Sequence, residues 1–145
     1  MKKQNYANHI RFYIPHHFIL LPIVLGLTAF SIRNACVYEQ QRLIWIFLSV
    51  LSFSLCFLVF MVRQHYALGN QNRIVRLEFR LRYYELFGES AQKIESSLTF
   101  SQIAALRFAN DDEFKILLNK ALKEHLSSDK IKKSIHDWQA DNMRL

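Results

Sequence analysis

The chain has few of the residues that turn or stiffen a backbone, with 3 Gly and 2 Pro among 145 residues. A turn-rich sandwich, a barrel of short strands, a collagen-like repeat and a linker-rich chain all need more of both. Its 2 Cys are too few for a disulfide scaffold or a four-cysteine zinc site. No Gly-rich phosphate loop, nucleophile elbow, HExxH or CxxC string occurs, so nucleotide, hydrolase and zinc chemistry have no motif to stand on. The expectation is a non-catalytic protein without a cofactor. Disorder is excluded as well, because 51% of the residues are hydrophobic and 21% charged. What is left is helix.

A mean hydropathy of zero and a net charge of +7 look unexceptional only because they are averages. Residues 43–62, LIWIFLSVLSFSLCFLVFMV, run without a charge, which as helix is about 30 Å, the thickness of a hydrocarbon core. A second uncharged stretch covers residues 12–32, with Pro15, His16 and His17 at headgroup level. Both are expected to span a membrane, and Pro22 is expected to kink the first. A cleaved signal peptide fits less well: the stretch is long and aromatic, and no small-x-small site follows it. Arg33 also stands where a lipoprotein signal needs an apolar residue three places before Cys36. Lys2, Lys3, Arg11, Arg63, Arg73, Arg76, Arg80 and Arg82 flank the two stretches on one side, against Arg33 and Arg42 in the loop between them. The basic side faces the cytoplasm, which places both termini inside and the loop of residues 33–42 outside. The expected layout is an all-α chain: an interfacial arm (1–17), a two-span hairpin (18–62), and a cytoplasmic helical extension with a small helical bundle (63–145). Cys36 and Cys56 lie about 20 Å apart in depth and form no bridge. Ser49, Ser52 and Cys56, and on the first span Gly26 and Ala29, make small faces that allow close helix packing in lipid or against a partner.

Beyond residue 62 no helix breaker intervenes before Gly69. Ile74, Leu77, Leu81 and Tyr84 then form a helical stripe beside Arg73, Arg76, Arg80 and Tyr83, with Glu78 and Arg82 as an i,i+4 pair and Gly88 as the stop. Thr99 and Gln102 read as a capping box, Asp111, Asp112 and Glu113 as the first turn of a helix carrying Phe114, Leu117, Leu118, Ala121 and Leu122, and Ser127 or Ser128 as the cap of a last helix with Ile131, Ile135 and Trp138. These short helices are expected to fold back on the Ile74–Tyr84 stripe.

The strings NHIRFYIPHHF from Asn8, RQHYAL from Arg63, RIVRLEFRLRY from Arg73, QIAALRFA from Gln102 and IKK from Ile131 with Trp138 resemble an uncharacterised family of short two-span inner-membrane proteins from Bacteroidetes-type bacteria. The likeness covers nearly the whole chain and departs at Ala140, where proline is expected. It implies a bacterial inner-membrane protein of this topology and brings no activity with it.

An antiparallel hairpin brings its two cytoplasmic ends together, so His9, Arg11, His16 and His17 are expected near Arg63, His65 and Tyr66. An interfacial belt of rings and arginines is the first reading. A defined site for an anion, either a lipid headgroup or a partner's carboxylate, is the second. A metal site on His9, His16, His17 and His65 is the weakest, because His16 and His17 are adjacent rather than at ligand spacing. The arginine stripe suits anionic headgroups first, docking to an acidic partner next, and nucleic acid least. Residues 63–82 carry net +4 and residues 83–145 net −1, whereas a nucleic-acid module spreads positive charge over its face. For the chain as a whole, a membrane-protein partner or a homo-oligomer is expected. Trp138 reads as core, or else as a partner-docking anchor.

Overall fold

A computed structural model describes residues 4–10 and 13–141 of the chain. The fold is all-helical with no strands among the described residues, as expected: two long apolar helices are followed by shorter ones. Helix α1 is Pro15–Val37 and helix α2 is Glu39–Phe87, both long and apolar enough to cross a membrane. The short helices are α3 (Gln92–Ser96), α4 (Phe100–Leu106), α5 (Asp111–Glu124) and α6 (Ser128–Lys133). The described residues within Phe12–Gly69 form one compact unit, and those within Met1–Arg11 and Asn70–Arg144 form a second. The expected boundary after residue 62 therefore falls inside the first unit. The expected arm of residues 1–17 is divided between the two.

In the first unit α1 packs against the N-terminal part of α2. Val24, Ser31 and Asn34 of α1 are buried and Thr28 is half-buried, facing half-buried Trp45, Ser49, Ser52, Cys56 and Val59 of α2. The small-residue stripe of α2 thus lies on the helix contact. Gly26 and Ala29 do not: both are exposed, and nothing lies within 4 Å of a Cβ placed on Gly26. Thr28, Ser31 and Asn34 put their polar side chains on this contact. Thr28 Oγ1 donates to the Val24 carbonyl at 2.8 Å and Ser49 Oγ to the Trp45 carbonyl at 2.7 Å. Such back-bonding satisfies hydroxyls without water. Pro22 follows a π-helical segment, Pro15–Leu20; since proline donates no N–H and crowds the preceding turn, the ladder changes its spacing there. A second π-helical segment, Val62–Ala67, lies within α2, and Gly69 does not interrupt the helix.

In the second unit α2 turns Val75, Phe79 and Tyr83 to the core. They meet Ile103 and Leu106 of α4, Phe114, Leu117 and Leu118 of α5, and Ile131 of α6. The expected stripe is the wrong one: Ile74, Leu77, Leu81 and Tyr84 are 54–60% exposed. Packing against another helix decides the matter, because the Phe79 ring lies 5.9 Å from Phe114 of α5. Local signals hold elsewhere. Gly88 ends α2 at φ 70°, Thr99 and Gln102 form the capping box, and Asn110 and Ser127 cap α5 and α6. Helix α6 stops at Lys133, so Ile135 and Trp138 enter the core from the following segment, where Gln139 N–H donates to the Phe108 carbonyl at 2.7 Å. The N-terminal arm docks on the same unit. Gln4 is buried and its Oε1 accepts from Asp141 N–H at 2.8 Å.

Candidate functional site

Three side-chain clusters emerge. In the first unit Arg63 donates to Nε2 of His17, and the His16 ring stands edge-on to His17 at 4.8 Å. A guanidinium can only donate, so His17 Nε2 accepts. Both ring nitrogens of His16 are buried and lack a hydrogen-bond partner. His65 is exposed, and Arg11 lies outside the described residues. Of the expected cytoplasmic-end cluster, the structure thus unites His16, His17 and Arg63.

His9 belongs to the second unit. Its Nδ1 donates to the Tyr6 carbonyl at 2.6 Å and its Nε2 accepts from the Lys132 ammonium at 3.1 Å. Its ring packs 5.8 Å from Trp138 and 5.9 Å from Phe108. With both nitrogens engaged, His9 is a docking residue of the arm. No group of three or more His, Cys, Asp or Glu placed to hold a metal exists among the described residues. Nearby, Tyr6 O–H donates to Asp129 at 2.5 Å and Lys133 bonds the other carboxylate oxygen at 2.8 Å. Lys133 and Tyr6 hold the Asp129 carboxyl below its ordinary value, and the bond to Asp129 raises the Tyr6 phenol. Trp138 is buried, with its indole N–H donating to the Ile135 carbonyl at 3.1 Å. The docking role considered for it has no exposed ring to act through.

The arginine stripe is the third cluster. Arg76 Nη1 donates to Glu95 Oε1 at 2.8 Å and Arg80 Nε to Oε2 at 2.5 Å, with Glu95 itself buried. The hydrogen bond from Arg80 is the main cause that pulls the Glu95 carboxyl below its usual range; burial opposes it and Arg76 adds to it. Arg76 also lies over the Phe100 ring. Arg82 leaves Glu78 aside, bonding Asp111 at 2.7 Å and the Ala109 carbonyl at 2.7 Å above the Phe114 ring. Two of the three stripe arginines therefore have a carboxylate partner inside the unit, and Arg73 stands exposed beside them. Sequence reasoning missed Glu95. The signal was an acid between Ile94 and Leu98, both turned to a core, opposite a stripe of arginines in need of a carboxylate.

These features define a class: an all-α chain with a hairpin of two long apolar helices and a small helical unit locked by arginine–carboxylate pairs. A family model, that of the family of unknown function DUF6526, matches residues 1–145, and the chain belongs to this family. No curated protein and no solved structure matches the chain.

Proposed function

We propose that the chain is a non-catalytic integral protein of the bacterial inner membrane, as the Bacteroidetes-type resemblance implies. Both termini are cytoplasmic, and the helical unit serves as an accessory or docking subunit of a larger membrane assembly. The observation that carries this reading is the apolar surface of the hairpin. Phe47, Phe53, Phe57 and Phe60 stand outward on α2, and none of its most apolar window is buried. Water would make that surface an aggregation liability, whereas lipid tails solvate it. The basic residues beside both long helices support a cytoplasmic location of the termini. Purification of the full chain in mild detergent tests the role: a reproducible, stoichiometric membrane-protein partner is expected, and a lone chain refutes the accessory assignment.

One observation favours a second role at the hairpin. The clustering of His16 and His17 with Arg63 suits the phosphate of an anionic headgroup, for which imidazole and guanidinium supply donors. Replacing His16, His17 and His65 together by Ala then lowers co-purified anionic lipid. Unchanged lipid content leaves only an interfacial belt.

A further inference from the structure

After Asn70, α2 carries two apolar faces. Val75, Phe79 and Tyr83 enter the core, while Ile74, Leu77, Leu81 and Tyr84 are exposed. At 3.6 residues per turn the two sets lie roughly 180° apart. Single exposed apolar residues are ordinary, but four large ones in an unbroken row along one helix call for a cover. The spacing is that of a heptad, with Ile74 and Leu81 at a and with Leu77 and Tyr84 at d. Arg73 and Arg80 fall at g, and Glu78 and Glu85 at e.

We propose that this face pairs with the same face of a second copy of the chain, as a parallel, in-register, two-stranded coiled coil. In a parallel pair each g residue meets the e residue of the next heptad on the partner helix. Arg73 then faces Glu78 of the other copy and Arg80 faces Glu85, and two-fold symmetry repeats both pairs. In an antiparallel pair g meets g and e meets e, which sets arginine against arginine and glutamate against glutamate. The charge pattern therefore selects both a second copy and its direction. The side chains are available for this. Arg73, Glu78 and Glu85 are exposed, Arg82 is turned away to Asp111, and Arg80 holds Glu95 through Nε while its side chain stays 54% exposed. An anionic lipid surface is a poorer occupant, because Glu78 and Glu85 line one edge of the row. Two heptads are short for a free coiled coil, for which about three or four are usual. Copies anchored in one membrane point the same way and meet at high effective concentration; on this point the inference rests on the membrane reading above.

Disulfide trapping of the full chain in its native membranes tests the pairing, in a Cys36→Ser/Cys56→Ser background. Leu77→Cys and Leu81→Cys are expected to give a covalent dimer on mild oxidation, and Asn72→Cys, off the row, is not. Glu78→Arg sets like charges across the seam and is expected to lower the Leu81→Cys dimer yield about fivefold; adding Arg73→Glu restores it. Absence of dimer at both row positions, equal trapping at Asn72→Cys, or a yield indifferent to Glu78→Arg overturns the pairing, as does trapping of a different protein instead. Flotation of the same membranes reads the anchoring separately. A chain that floats without trapping refutes the pairing alone, whereas one that does not float refutes the anchoring and, with it, the effective concentration that offsets the shortness of two heptads.

Discussion

Glu95 shows how much a single buried acid decides. It fixes Arg76 and Arg80 on the flank of α2 and so helps choose which helical face enters the core. Loss of its carboxylate leaves two half-exposed guanidiniums that water re-solvates, so the cost is smaller than that of a fully buried pair. Glu95→Ala is expected to destabilise the second unit by about 1–2 kcal/mol. Thermal unfolding in detergent with Trp138 as reporter, in a Trp45→Phe background, checks this. The pH dependence has a definite sign. The folded carboxyl titrates below its ordinary value of 4.5, so its contribution is complete above that value and is lost as pH falls through the depressed folded one. The same measurement on Glu95→Gln should show a flatter acid limb, and an unchanged slope would refute the assignment. The sequence shows the arginines at helical spacing and leaves their partner out of sight, because the pairing joins residues 15 and 19 positions apart across a turn whose path depends on the core.

Helices are legible where their limits are set locally. Thr99 with Gln102, the acids after Asn110, and Gly88 each act within one turn, and the sequence places all three correctly. Gly88 and Gly69 make a contrasting pair. Both have open space around a built Cβ, so only the backbone distinguishes them. Gly88 sits at φ 70°, where an L side chain is strained, and Gly69 lies within α2. Gly88→Ala is expected to destabilise by about 1 kcal/mol, while Gly69→Ala stabilises by roughly 0.5–1 kcal/mol. Opposite shifts of the unfolding midpoint are the check, and shifts of equal sign contradict the account. The buried face of α2 is not legible in this way. Ile74, Leu77, Leu81 and Tyr84 are as apolar a row as Val75, Phe79 and Tyr83, and periodicity alone cannot rank two good stripes on one helix. The Phe114 ring makes the choice, and it lies on α5, outside the stripe itself.

For the whole molecule, the two hydrophobic runs carry the pair of long helices, since the length of an apolar run needs no tertiary partner to be read. The docking of the N-terminal arm is invisible to that logic. Tyr6, His9 and Gln4 find Asp129, Lys132 and residue 141 more than a hundred positions away. The proposed topology is testable with the chain's own thiols. Cys36 is exposed at the end of α1, and Cys56 lies half-buried within α2. With the loop outside and both termini inside, a membrane-impermeant maleimide added to intact spheroplasts should modify Cys36 and spare Cys56, which sits in hydrocarbon where a charged reagent does not enter. A thiol introduced by Ser101→Cys on exposed Ser101 should react only after lysis. Labelling of Ser101→Cys in intact spheroplasts, with Cys36 protected, would reverse the orientation. Labelling of Cys56 from either side would remove the hairpin from the bilayer.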